Sequence, residues 1–131
     1  MTNFKKGDFI NYRIGKAKET LRAAQVLIEN NLWNSAVNRL YYACFYAVSA
    51  LLEHSALTAK THTGVKSQFF LHFVKAGKIS MELGKLYADL FDGRQKGDYN
   101  DFYDFEEETV VALFQSSKEL LRKIEKFINA D

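Results

Sequence analysis

Apolar residues recur along this chain in steps of three and four, and those steps predict helices. From Asp8 to Asn31 the positions Ile10, Ile14, Ala17, Leu21, Ala24 and Ile28 are spaced 4-3-4-3-4. That spacing lines one helix face with a stripe for a core. Lys16, Lys18, Glu19, Arg22 and Glu29 fall off the stripe and are expected in water. Towards the other end Val110, Phe114, Ser117, Leu121, Ile124 and Ile128 repeat the spacing. This last helix is predicted to start at Asp104, with Glu107 three residues on in a capping box. Glu106, Glu107 and Glu108 suit the positive end of its dipole, and Arg122, Lys123 and Lys126 the far end.

Between these lies a longer apolar run. A second helix is predicted after Asn34, a good N-cap residue, and continues to about Glu53. From Leu40 to Leu52 it carries no charged residue. A bilayer span needs about 20 apolar residues, so this run is expected to be a buried central helix, covered by neighbouring helices or by a partner chain. His54 to Thr63 reads as a connector without periodicity. A short helix is predicted over about Gly64 to Lys75, with Gly77 as its left-handed cap. Ser80 then caps a helix through Met81, Leu83, Leu86, Tyr87 and Leu90 that is predicted to end near Gly93.

Composition sharpens this picture. The 131 residues include no proline and only seven glycines, which favours long uninterrupted helices. The expectation is one all-α domain over 1–131, a four- to five-helix antiparallel up-and-down bundle. A single cysteine, Cys44, excludes a disulfide scaffold. Net charge of +2 is too mild to announce a nucleic-acid binder by itself. No apolar stretch reaches about 18 residues and the first residues lack a signal-peptide layout, so a cytoplasmic protein with no membrane partner is expected.

Candidate chemistry is sparse. There is no phosphate-binding glycine loop, no His-Glu-x-x-His and no Gly-x-Ser-x-Gly. His54, His62 and His72 lack the spacing that places two ligands on one helix face, so neither a metal nor a cofactor is expected. The segment from Asp89 to Glu108 holds eight acidic and two basic residues, a local balance of −6. It reads either as a solvated turn or as a place where Asp98 orients Arg94 for bidentate phosphate binding beside Tyr99. Arg39 is the only charge between Glu29 and Glu53 and must snorkel outward or find a partner. Lys60 and His62 sit in the connector. The aromatic run Tyr41, Tyr42, Phe45, Tyr46 suits core packing, with base stacking as the other reading.

Three stretches occur together in order: Asn38-Arg-Leu-Tyr-Tyr-Ala-x-Phe-x-Ala-x-x-Ala-Leu-Leu, Lys60-Thr-His62-x-Gly-Val, and Arg94-x-x-x-Asp98-Tyr99. In this the chain resembles the HEPN superfamily (higher eukaryotes and prokaryotes nucleotide-binding domain), in its branch of small stand-alone prokaryotic proteins. The likeness covers about Ile10 to Ile128. It implies a helical bundle, often a homodimer, binding nucleotide or RNA beside a minimal nucleotidyltransferase partner in a toxin–antitoxin or defence pair. Active members are metal-independent ribonucleases with an Arg followed after four to six residues by a His. None of Arg13, Arg22, Arg39, Arg94 and Arg122 has a His at that distance. Arg94 and His62 are the candidate catalytic residues, and Arg39, Asp98, Tyr99 and Lys60 the candidate ligand-binding ones. A ribonuclease toxin is the alternative to a binding protein, and a non-catalytic structural dimer a further one. Arg94, Asp98 and Tyr99 are expected at one end of the bundle, lining a cleft with His62 and Arg39.

Overall fold

The central helix predicted from the charge-free run organises the molecule. The computed structural model describes residues 5–99 and 104–130, with Tyr99 described by its backbone alone. The described residues form α1 (Lys6–Glu29), α2 (Trp33–His54), α3 (His62–Phe69) running into a π-helical turn (Phe70–Val74), α4 (Met81–Tyr99) and α5 (Glu107–Asn129). No described residue is in a strand, so the fold is an all-α bundle. Helix α2 packs against α1, α3, α4 and α5. Eleven of its residues are buried, among them Val37, Leu40, Tyr41, Cys44, Ala47, Val48 and Leu51. Each large apolar side chain buried there is worth about 1.5–3 kcal/mol. The small residues Ala43, Cys44, Ala47 and Ala50 let the neighbouring helices approach closely.

Both 4-3-4-3-4 stripes face this core. Ile10, Ala17 and Ala24 of α1, and Val110, Ser117, Leu121 and Ile124 of α5, are buried. The charge-free run is therefore covered within the chain. Tyr41 is fully buried, and only Tyr42, Phe45 and Tyr46 of the aromatic run remain partly exposed. Of the two covers expected for this run, neighbouring helices rather than a partner chain supply most of it.

Element ends depart from expectation in four places. Asn34 does not cap α2, which begins a residue earlier at Trp33. Its Oδ1 instead accepts the backbone N–H of Phe105 at 3.0 Å, tying the entry of α5 to the start of α2. Helix α4 does not stop at Gly93. It passes through Gly93 and Gly97, where a methyl group would stand 3.2 Å from the Phe105 ring. The two glycines, one turn apart, form the slot that receives Phe105. Helix α5 starts at Glu107 rather than Asp104, which lies exposed ahead of it.

The third helix begins at His62, with Thr61 as its cap accepting Gly64 N–H at 2.9 Å, so His62 is helical and not part of the connector. Its last turn widens: Lys75 N–H donates to the Phe70 carbonyl, five residues back, at 2.8 Å. That π turn places Phe69, Phe73 and Val74 all in the core. Gly77 (φ 78°) ends the segment and Ser80 Oγ caps α4 by accepting Leu83 N–H at 3.2 Å, both as the sequence predicts.

Candidate functional site

One stripe of α4, Tyr87, Phe91, Arg94 and Asp98, faces the part of α2 that carries Asn38, Arg39, Tyr41 and Tyr42. Extending α4 past Gly93 is what brings Arg94 and Asp98 there. The Arg94 guanidinium lies 4.8 Å from the Tyr41 ring centre and 5.8 Å from that of Tyr42. Arg39 approaches the same Tyr42 ring, at 5.1 Å. Two permanent cations therefore share one aromatic ring, whose electron-rich face attracts each of them.

Asn38 links them. Its Oδ1 accepts from Arg39 Nε at 3.1 Å and from Nη2 at 2.8 Å, and its Nδ2 donates to Asp98 Oδ2 at 3.2 Å. The same carboxylate oxygen lies 3.9 Å from Arg94 Nη1. Asp98 is thus hydrogen-bonded to Asn38 and, at the longer distance, ion-paired with Arg94, the i,i+4 pair that the sequence suggests. The Arg94 side chain is 13% exposed, and its buried Nε has no hydrogen-bond partner among the described residues. Aromatic faces rather than hydrogen bonds hold this guanidinium, leaving donors to spare.

His62 reaches the cluster from α3. Its Nδ1 is 2.6 Å from the Tyr41 hydroxyl, and its ring stacks on Phe45 with centres 4.3 Å apart. The His62 and Tyr41 ring centres are 5.7 Å apart, so Tyr41 has the histidine on one side and Arg94 over its face. Burial first, then the Arg94 charge, hold the His62 imidazole below its usual pKa. Burial pushes the Tyr41 phenol up to about 12, against the smaller opposing effect of Arg94. The Tyr41–His62 pair is accordingly uncharged at neutral pH, beside two cations.

Among the described residues the candidates border two separate depressions. Arg39, Asn38 and Asp98 border a depression of about 500 Å³ near the start of α2. His62 and Lys60 border another of about 310 Å³ further along α2. The ridge between them carries Tyr42 and Phe45. Lys60 is exposed and faces only the second depression. Tyr99 ends α4, and its side chain lies outside the described residues, as does all of Asp101. Sequence reasoning missed Asn38 and Tyr41 as working parts of the site, although both stand in the quoted Asn-Arg-Leu-Tyr-Tyr stretch. No group of His, Cys, Asp and Glu among the described residues is arranged to hold a metal. No described helix is long and apolar enough to cross a membrane.

Comparison with known proteins places this geometry in a family. The family model for the HEPN domain matches residues 10–127. A UPF0332 protein of Thermotoga maritima is 44% identical over 123 residues, covering 94% of this chain and 93% of that protein. Two proteins of Methanocaldococcus jannaschii named as candidate toxins are also similar. One is 38% identical over 76% of this chain and 75% of its own length. The other is 30% identical over 88% and 78% respectively.

Proposed function

Since the chain belongs to the HEPN family, we propose that it binds RNA or a nucleotide through phosphate at the paired arginines of the Tyr42 ridge. One observation carries this reading. Arg39 and Arg94 converge on a single ring, and the nearest carboxylate, Asp98, is engaged by Asn38 and stands 3.9 Å from Arg94. Guanidinium forks with unused donors suit phosphate oxygens, and the partly exposed Tyr42 and Phe45 rings suit base stacking. The test is titration of the purified protein with short single-stranded RNA at several salt concentrations. Binding should weaken as salt rises, and Arg94→Ala should lower affinity about tenfold or more at one salt. It should also flatten the salt slope by about 0.7 for the lost phosphate contact. Unchanged affinity and slope in a folded Arg94→Ala protein would refute the site.

A second reading, metal-independent cleavage, is favoured by the uncharged His62 beside Arg94. His62 would take the proton of a ribose 2′-hydroxyl. The 2′-oxygen would then attack phosphorus as the bond to the 5′-oxygen breaks, leaving a 2′,3′-cyclic phosphate and a 5′-hydroxyl that takes its proton from water, with Arg94 stabilising the added charge. That role requires Nδ1–H to donate to the Tyr41 oxygen, so that Nε2 carries the lone pair. Cleavage in the presence of a chelator, abolished by His62→Ala and by a single 2′-deoxy substitution in the RNA, is the expected signature. Intact RNA after long incubation would leave binding as the whole function.

The names of the Methanocaldococcus relatives support a toxin role, and the proposal extends it to a cytoplasmic toxin–antitoxin or defence pair with a minimal nucleotidyltransferase as partner. A nucleotidyltransferase reading frame beside this one, and co-purification of the two products, are the expected outcomes. A homodimer is part of the same proposal, supported by the partly exposed Tyr46, which takes no part in the ligand contacts proposed above. Sedimentation at about 100 μM should find the dimer, since an interface of standard size persists there.

A further inference from the structure

The depression of about 310 Å³ beside His62 is not used by the phosphate contacts above, and its lining is specific enough to suggest what enters it. Helix α2 runs from the arginine cluster into this pocket along one stripe: Tyr42, Phe45, Ser49, then Leu52 and Glu53. From Tyr42 to Ser49 the helix rises about 10 Å, at 1.5 Å per residue, which matches the reach of one nucleotide from its phosphate to its base. Leu52 and Val65 are buried and give the pocket an apolar floor. Glu53 from α2 and Arg13 from α1 stand in its wall, both partly buried. Among the described residues neither side chain has an ion-pair or hydrogen-bond partner, although they border the same space. A carboxylate and a guanidinium left apart in one small pocket are a paired acceptor and donor awaiting a ligand that carries the complement of both.

Resting on the phosphate-binding reading, we propose that this pocket is a base-recognition subsite for guanine. A carboxylate accepts two hydrogen bonds side by side, and guanine presents two donors side by side, N1–H and the exocyclic N2–H. A guanidinium donates two, and guanine presents two acceptors, O6 and N7, on the neighbouring edge. Cytosine offers a carboxylate only its N4 amino group, uracil only N3–H, and adenine only N6–H, so each leaves part of the pair unanswered. The base slides over the apolar floor, its ribose lies beside His62 and its phosphate extends toward Arg94. The guanine comes either from an RNA strand or from a free nucleotide, and both present the same edges.

The experiment measures binding of GMP, AMP, CMP and UMP, and of RNA hexamers differing at one position, to the full chain and to Glu53→Ala and Arg94→Ala proteins of confirmed helicity. Guanine should bind about tenfold tighter than the other bases. Glu53→Ala should erase that preference while leaving the affinity for the other bases unchanged. Inosine monophosphate, which lacks the N2 amino group, should fall between GMP and AMP. A GMP preference without an RNA preference assigns the site to a free nucleotide, and a preference only within hexamers assigns it to RNA. Equal binding of all four bases, with Arg94→Ala still weakening each, would overturn the guanine subsite and leave the phosphate site standing. If the preference survives in Glu53→Ala, the subsite is wrongly placed. If no ligand binds the full chain at all, the phosphate-binding reading fails and this inference with it.

Discussion

The Tyr41 hydroxyl is the point where the core meets the site, and its neighbours set the pH behaviour of the cluster. His62 is held below the usual 6.5 by burial first and by Arg94 second. In the unfolded chain it titrates at its ordinary value, so the unfolded state binds more protons in the window below about 6.5. The stability associated with neutral His62 is therefore intact above that pH and is lost as pH falls through the depressed folded value. An NMR titration of the imidazole should report a pKa under 6.5, and Arg94→Ala should raise it by removing the cation. The acid-side loss in a melting series should shrink in His62→Gln. Arg39 and Arg94 were legible as candidates because each is chemically out of place in an otherwise apolar or acidic stretch, and His62 through the resemblance carried by the Lys60-Thr-His62-x-Gly-Val stretch. Asn38 was not legible as their linker, because its contact with Asp98 spans 60 residues of chain and no local pattern announces it.

Elements show where a glycine is a close-approach residue and where it is merely tolerated. A methyl group at Gly84 would sit 2.9 Å from Val74 Cγ1, while one at Gly15 meets nothing within 4 Å. Gly84→Ala should lower stability by about 1–2 kcal/mol despite the helix propensity it gains. Gly15→Ala, in the exposed middle of α1, should raise it by about 0.5–1 kcal/mol. Urea melts of the two variants should move in opposite directions. Asn34→Ala removes the acceptor for the Phe105 N–H and should cost about 1–2 kcal/mol in the same assay. The stripes of α1 and α5 and the burial of α2 could be read from the sequence because hydrophobic period is a local property. The ends of α2, α4 and α5 could not. Asn34 looks like a cap and Gly93 like a stop, yet both are committed to Phe105, which follows Asn34 by 71 residues and lies beyond the end of α4.

At the scale of the whole molecule, Cys44 reports on the integrity of the core. It is 1% exposed on the central helix, and burial pushes its thiol up to about 12. The native protein should therefore resist a thiol reagent at pH 8, and labelling should proceed at the rate of global opening, accelerating as urea approaches the unfolding midpoint. Rapid labelling in native buffer would mean that α2 opens locally. That helix supplies the middle of the core and, on its remaining face, the rings and arginine of the site. Its two duties set different tolerances around the molecule. A change within residues 40–52 of α2 that retunes ligand contact also disturbs packing, so new preferences in related chains should arise at Glu53, in the exposed connector after His54 and at the exposed end of α4. A library randomised over residues 55–60 should yield many folded proteins with varied ligand choice. One randomised over 40–52 should yield few folded proteins, and those with little variety. The helix that makes the site stable is the helix through which it is hardest to evolve.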